Sequence, residues 1–433
     1  MTKNLFGTDG VRGLANEYPL DTEGAIHIGK AVALQFAGVG DHIAIGYDPR
    51  ESSKVIVASI CKGLVEMGIN VIELGVITTP GLAYTTREGK NFKAGIMVTA
   101  SHNPYQYNGV KVFDANGDKL SSQIESRLNE LIQSNIESLQ TGSLDKDNSL
   151  VSDYINFLLG SVRGLDLSGK KIAIDCANGS ASDIAEKVFK SLKVDVIVLS
   201  NKPDGRNINQ NCGATDTSEL QKIVVEQQCF IGIAFDGDAD RVIMVDNLGR
   251  EVKGDYILYI LALANGIKDV VATVMSNIGF EKALQNKGIN LIRTDVGDHF
   301  VIEKLKEDGL KLGGEASGHI VLFDILATGD GILAAVQTLK ALSESGKTLA
   351  EWCQEVRLVP QAIENVELID KTILERAEIK NWIESKKLQL PVNGRILIRP
   401  SGTEPVVRIM VEAENAETLA RDFANELKEL LEA

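Results

Sequence analysis

Cysteine is scarce in this chain: five residues among 433, at positions 61, 176, 212, 229 and 353. They are odd in number, scattered and never in C-x-x-C spacing, which excludes a disulfide framework and a thiolate zinc site. Basic residues are in deficit too, with 45 Lys and Arg against 60 Asp and Glu and a net charge of −15. No Lys/Arg cluster is long enough to follow a phosphate backbone. No nucleic-acid partner is therefore expected, and any anionic ligand has to be met by a local arginine site. Long apolar runs are missing as well. The longest, Tyr256 to Ala264, is too short to span a bilayer and reads as a buried helix, so no membrane association is expected. Met1 to Gly7 lacks the apolar core of a signal peptide, and a cytoplasmic protein is expected.

What is present is an ordinary globular composition, 44% apolar and 24% charged, in a chain too long for one core. Three or four domains are expected from length. A helical pattern over Thr22 to Phe36 precedes a strand (His42 to Gly46), a helix (Ser53 to Met67) and a strand (Asn70 to Leu74). The strand, loop, helix, strand order recurs from Lys171 to Leu199 and from Val270 to Thr294. The second strands of the three copies resemble one another: Gly68 to Glu73, Lys193 to Val198 and Gly288 to Arg293. The expected fold class is α/β, with three related α/β domains and a smaller C-terminal α+β domain. The polar stretch Gln140 to Ser149 marks the first boundary, giving domains over 1–149, 150–250, 251–360 and 361–433.

Four stretches carry chemistry. Two apolar runs, Ala94 to Thr99 and Val110 to Phe113, read as short strands around Ser101-His102-Asn103-Pro104. A serine delivered by a strand into a turn ending in Asn-Pro is expected at a loop tip with its hydroxyl exposed. Alone it is a turn serine capping its own backbone. Its company decides otherwise: an acidic triplet, a sugar-type polar loop and an arginine-flanked loop make Ser101 a site of phosphorylation.

The triplet lies in Asp236-Gly237-Asp238-Ala239-Asp240-Arg241, between the apolar strands Ile231 to Phe235 and Val242 to Val245. In an extended segment the period of two sets the three carboxylates on one side, a hard oxygen-only site suited to Mg²⁺. An EF-hand is excluded, because the twelfth position counted from Asp236 is Asn247 and the flanks are strands. Glu315, Ser317 and His319 alternate in Gly313 to His319, so an extended loop would present an acceptor, a hydroxyl and an imidazole together. Read alone, His319 is equally a structural histidine.

Ala341 to Thr348 nearly matches a phosphate-binding P-loop, but a helical pattern from Gly331 to Leu342 precedes it where a strand is required. Gly346 is a helix stop and no ATP site is expected. The last part holds a helical stretch (Ile369 to Lys386), strands over Arg395 to Ile398 and Val406 to Val411, and an amphipathic helix from Ala416 to Leu431. Between the strands, Arg399-Pro400-Ser401-Gly402-Thr403-Glu404-Pro405 with Arg408 forms a nest for a phosphate dianion. At the other end, Gly7 to Gly13 is a glycine-rich loop whose one cation, Arg12, suits phosphate oxygens, although such a loop alone is as readily a plain turn.

These motifs, in this order and at this spacing, resemble the α-D-phosphohexomutase superfamily over essentially the whole chain. The resemblance implies four domains around a central active-site cleft and a phosphoserine at Ser101. It implies one Mg²⁺ held by Asp236, Asp238, Asp240 and the phosphate on Ser101. Arg12, Lys111 and His319 are implied for proton transfer and charge stabilisation. His102, Arg241, Glu315 and Ser317 are implied on the substrate, with Arg399, Ser401, Gly402, Thr403 and Arg408 on the phosphate that is not transferred.

The opening Phe6 to Gly13 and the segment Asn207 to Thr215 resemble the glucosamine branch. That branch implies interconversion of glucosamine 6-phosphate and glucosamine 1-phosphate through glucosamine 1,6-bisphosphate, feeding amino-sugar nucleotide and cell-wall precursor synthesis, and it allows a homodimer. Two positions depart from its pattern: Ala316 where Gln is expected and His299 where Arg is usual. The alternatives are a phosphomannomutase/phosphoglucomutase of the same superfamily and a non-catalytic sugar-phosphate-binding protein.

Overall fold

The computed structural model describes residues 5–7, 10–89, 91–367, 371–391, 393–400 and 406–432. The first sheet contains β1 (Phe6–Gly7), β2 (Gly10–Leu14), β3 (His42–Tyr47), β4 (Asn70–Val76), β5 (Phe92–Val98), β6 (Tyr107–Asp114) and β7 (Leu144–Lys146), in the order β1-β2-β6-β5-β3-β4-β7. The second contains β8 (Lys171–Asp175), β9 (Asp195–Leu199), β10 (Ile231–Phe235), β11 (Val242–Asp246) and β12 (Glu251–Val252), in the order β12-β11-β10-β8-β9. The third contains β13 (Asp269–Thr273), β14 (Asn290–Thr294), β15 (Leu312–Gly314) and β16 (Ile320–Leu322), in the order β14-β13-β15-β16.

One arrangement recurs in all three sheets. Three parallel strands are followed by an antiparallel return strand: β4-β3-β5-β6, β9-β8-β10-β11 and β14-β13-β15-β16. The turn into each return strand lies at the carboxyl ends of the parallel strands, where α/β sheets place their ligands. Those three turns hold Ser101, the Asp236–Arg241 triplet and Glu315–His319. The central strands are nearly continuous apolar runs because helices cover the sheet; every residue of β10 is buried.

Some stretches differ from the expectation in informative ways. The polar stretch 140–149 is not all connection, since Leu144–Lys146 adds β7 alongside β4. All three of its residues are exposed, and an edge strand with no buried side chain leaves no apolar signal. The glycine-rich loop at Arg12 is largely strand, because β2 pairs Arg12 with Gly109 on β6. The P-loop look-alike ends the helix Gly331–Ser345, and Gly346 takes the left-handed conformation of a helix stop, φ +69°.

The C-terminal sheet is antiparallel, β17 (Gln361–Glu367), β18 (Arg395–Pro400) and β19 (Val406–Glu412) in the order β17-β19-β18. The helix expected over 369–386 is a 3₁₀ turn at Lys371–Glu375 and a helix at Ala377–Gln389. The helix Ala416–Glu432 turns Ala420, Phe423, Ala424 and Leu427 onto the sheet, the spacing of a single buried helical face.

Apolar packing divides the molecule unevenly. One continuous core runs from Ala44 in the first sheet through the second to Val356 beyond the third. The C-terminal domain has a core of its own. It is tied to the third domain by polar contacts. Buried Glu412 accepts from Arg395 Nε at 2.8 Å, from the Ile278 backbone N–H at 3.2 Å and from Gln361 Nε2 at 3.1 Å. Arg395 Nη2 donates in turn to the Ser276 carbonyl at 3.0 Å. Among the described residues, no helix is long and apolar enough to cross a membrane.

Candidate active site

Ser101 is not an exposed loop tip: it is 1% accessible. The turn of the second domain packs onto it, and the approach is so close that a Cβ on Gly237 would lie 2.6 Å from the Ser101 carbonyl oxygen. The Ser101 hydroxyl donates to Asp236 Oδ2 at 2.7 Å, and His102 Nδ1 lies 3.3 Å from Ser101 Oγ. The Ser101 N–H donates to Thr99 Oγ1 at 2.9 Å, whose hydroxyl donates to Asp48 Oδ2 at 2.7 Å.

The acidic segment is not extended either. It forms a tight turn in which the Ala239 N–H donates to the Asp236 carbonyl at 3.1 Å, with Ala239 at φ +58°. Turning, rather than strand alternation, brings the three carboxylates together, with ligand oxygens all within 4.8 Å of one another. All three aspartates are buried. A lysine shares the space: Lys111, on β6 of the first domain, donates to Asp238 Oδ2 at 2.7 Å and Asp240 Oδ2 at 2.9 Å. Thr79 Oγ1 donates to Asp238 Oδ2 at 2.6 Å.

The titration of these groups follows from their packing. Burial, then the charges of Asp240 and Asp238, push Asp236 well above the ordinary carboxylate range. Burial and Asp240 act on Asp238 in the same sense, but Lys111 and Thr79 outweigh them and hold it low. Asp240 is also buried, and Lys111, His319 and Arg241 hold it well below the usual value. Lys111 stays charged, because the two carboxylates outweigh its burial.

Oδ1 of Asp238 and of Asp240 are buried without a hydrogen-bond partner among the described residues; Asp240 Oδ1 has only longer contacts, to Arg241 Nε at 3.9 Å and His319 Nδ1 at 3.8 Å. Three buried carboxylates gathered in one turn, two of them with orphaned oxygens, fit a hard divalent cation.

In the third domain the alternating trio separates. A turn with Gly318 at φ +93° reverses the chain, leaving Ser317 exposed and bonded to Glu315 Oε2 at 3.3 Å. His319 points inward instead and is 2% accessible. Its Nε2 lies 3.3 Å from Asp298 Oδ2, and Asp298 pairs with Lys119 of the first domain. Asp298 and then Asp240 raise the His319 pKa against the effect of burial. Gly329 backs the ring: a Cβ there would lie 2.2 Å from His319 Nε2. Gly329→Ala is expected to displace the imidazole and cost about 1–3 kcal/mol of stability, read from the urea midpoint.

The remaining candidates are His102 with its arginine neighbours and the arginines of the last domain. Burial, then the charges of Arg241 and Arg12, lower the His102 pKa to about 4. Arg399 and Arg408 are register partners on β18 and β19, and with Met275 they help line a cavity of about 130 Å³. Burial and the Arg408 charge depress the Arg399 pKa, against the opposing charge of Asp295. Ser401, Gly402 and Thr403 lie outside the described residues. Ala316 and His299 are half-buried, with the His299 ring against Phe300.

Arg50, Thr79 and Lys119 touch this machinery and carry no sequence motif of their own, and Asp298 touches it from the stretch Asp295 to His299. The signal that finds Arg50 is position, just beyond the carboxyl end of parallel strand β3.

Comparison with known proteins agrees with this layout. Family models described as phosphoglucomutase/phosphomannomutase match in series: alpha/beta/alpha domain I at residues 3–138, domain II at 152–249, domain III at 253–358 and the C-terminal domain at 364–429. A phosphoglucosamine mutase of Thermoanaerobacter sp. (strain X514) is 44% identical, over 99% of this chain and 98% of its own. A phosphoglucomutase/phosphomannomutase family protein of Burkholderia thailandensis superposes with a TM-score of 0.80 at 23% identity, covering 100% of this chain and 98% of that one. An N-acetylphosphoglucosamine mutase of Aspergillus fumigatus, solved with GlcNAc-6P and magnesium, gives a TM-score of 0.68 at 19% identity over 98% of this chain and 95% of its own.

Proposed function

Because the chain belongs to the phosphoglucomutase/phosphomannomutase family, we infer that it is a phosphoglucosamine mutase, an isomerase that interconverts glucosamine 6-phosphate and glucosamine 1-phosphate. The observation that carries the chemistry is the Ser101 hydroxyl, buried and 2.7 Å from a carboxylate of the acidic triplet. In this reading Ser101 Oγ carries a phosphoryl group. Its O–P bond breaks as a bond forms to the C1 hydroxyl oxygen of glucosamine 6-phosphate, the hydroxyl gives up its proton, and the Ser101 oxygen regains one. The glucosamine 1,6-bisphosphate so formed turns in the cleft and returns its 6-phosphoryl group to Ser101, leaving glucosamine 1-phosphate.

The transition state is loose, with charge spread over the phosphoryl oxygens, so positioning and neutralisation do most of the work. Asp236, Asp238 and Asp240 would hold a divalent cation together with the phosphate on Ser101; Mg²⁺ suits the donor set and supplies charge neutralisation. Lys111, kept charged by its carboxylates, Arg12 and Arg241 add fixed positive charge, and His319, whose pKa Asp298 and Asp240 raise against burial, lies beside them. His102 Nδ1, 3.3 Å from Ser101 Oγ, is placed to exchange a proton there. Glu315 and Ser317 face the sugar, where Glu315 suits a 2-amino group. Arg399 and Arg408, with the loop Ser401-Gly402-Thr403, grip the phosphate not in transfer.

The test is the rate of 1-phosphate formation from glucosamine, glucose and mannose 6-phosphates, with Mg²⁺ and a trace of the matching bisphosphate. A site that hydrogen-bonds the amino group should favour glucosamine 6-phosphate by roughly 100-fold or more in kcat/KM. Ala316 favours a second reading, a phosphomannomutase/phosphoglucomutase, and a preference for glucose or mannose would establish it. No turnover of any of the three would leave only a sugar-phosphate-binding protein.

A further inference from the structure

Ser101 has a left-handed backbone, φ +51°, which a residue with a Cβ adopts only where its surroundings impose it. The surroundings come from two domains. From the first, buried Arg50 donates through Nη2 to the carbonyls of Ser101 and Asn103, each at 2.9 Å. Its Nη1 donates to the carbonyls of Pro104 at 2.5 Å and Tyr107 at 3.0 Å, and its Nε to Asp48 Oδ2 at 2.8 Å. The five N–H groups of the guanidinium thus meet five acceptors, three of them carbonyls of the Ser101 loop and one the carbonyl that opens β6.

From the second domain, Asn209 Nδ2 donates to the same two carbonyls, Ser101 at 2.9 Å and Asn103 at 3.3 Å. The reversed amide would set its oxygen against both carbonyl oxygens, so the donor end is fixed by its partners. Gly237 closes the joint, since a Cβ there would also lie 2.9 Å from Asn209 Nδ2. Asn209 belongs to the segment 207–215, whose approach is anchored on the first domain: Glu51 N–H donates to the Gly205 carbonyl at 2.9 Å, and Arg206 Nε pairs with Glu51 at 2.6 Å.

We propose that Arg50 and Asn209 are positioning residues for Ser101, gripping its carbonyl from two domains so that its left-handed backbone aims Oγ at the carboxylate triplet. The segment 207–215 is the arm by which the second domain supplies its half of the grip. The inference rests on Ser101 as the phosphoryl carrier. In-line transfer is sensitive to placement, and an error of about 1 Å at the reacting atom costs roughly 100-fold.

Asn209→Gly is the discriminating variant. Asn209 itself sits at φ +57°, which glycine accepts, so the substitution removes the donor and leaves the turn. Single-turnover transfer of labelled phosphoryl from glucosamine 1,6-bisphosphate to Ser101 is measured beside steady-state kinetics and the thermal midpoint. Transfer rate and kcat should fall roughly 10- to 100-fold with KM within about two-fold and the midpoint unchanged. Arg50→Lys, which keeps the charge beside Asp48 but not the fork, should show the same kcat-selective loss. Labelling of Asn209→Gly at the parent rate, a loss confined to KM, or a loss that merely follows a lowered midpoint would overturn the proposal. A parent protein that takes no label at Ser101 would instead overturn the phosphoryl-carrier reading, and this inference with it.

Discussion

With alanine in place of Ser101, sugar-phosphate isomerisation should vanish and no phosphoryl label should be retained, while the protein still folds. Removing the nucleophile from a set of residues that act as one unit costs on the order of a million-fold. No other hydroxyl among the described residues donates to Asp236. The folded state loses less. Alanine carries the same Cβ into the left-handed conformation, so the backbone term is unchanged, and the lost hydrogen bond costs about 1–3 kcal/mol. Burial already favours a protonated Asp236, which softens even that. Kinetics, intact-protein mass and circular dichroism decide the matter together: turnover near the parent level would remove Ser101 from the scheme.

Stripping divalent cations with a chelator should be the second large effect. Two carboxylate oxygens of the buried triplet, Oδ1 of Asp238 and of Asp240, have no hydrogen bond among the described residues. Charge stabilisation worth several kcal/mol is then missing at the phosphoryl group, about a thousand-fold or more in rate. The fold should persist, because Lys111 and Thr79 bond Asp238 without a cation. Restoring Mg²⁺ should return the rate and raise the thermal midpoint, by linkage about 2.7 kcal/mol of stability at a hundred times Kd. Undiminished activity in chelator with an unmoved midpoint would defeat the metal assignment.

Both effects turn on residues legible in the sequence, and the reason is chemical. A serine before Asn-Pro, a D-x-D-x-D run and paired arginines are short, dense and unlike core residues, so they announce themselves. The repeat was legible as well, since strand, helix and strand succeed one another three times with matching second strands.

What the sequence hid was direction. Strand alternation was the wrong geometry for both Asp236 to Asp240 and Glu315 to His319, because residues at positive φ, Ala239 and Gly318, convert each stretch into a turn. That turn gathers the aspartates but parts His319 from Ser317. Ser101 was expected in solvent because a neighbouring domain's Gly237 is invisible to local pattern. The helix Thr79–Glu88, which delivers Thr79 to Asp238, was missed: proline stands in its first turn and β-branched threonines recur, both of which weaken a helical signal. Arg50 was missed because a lone arginine after a strand looks solvated until its acceptors are in place.

The uneven division of the core bears on how an intermediate turns around without escaping. An apolar core shared by the first three domains holds Ser101, the aspartates and His319 on one packed body. The arginine pair rides on a body with its own core, fastened to the third domain through Glu412 and Arg395 by polar bonds. In the proposed mechanism, loosening the grip on one phosphate and closing on the other would then fall to that body, with the three-domain core left as it is for the second transfer.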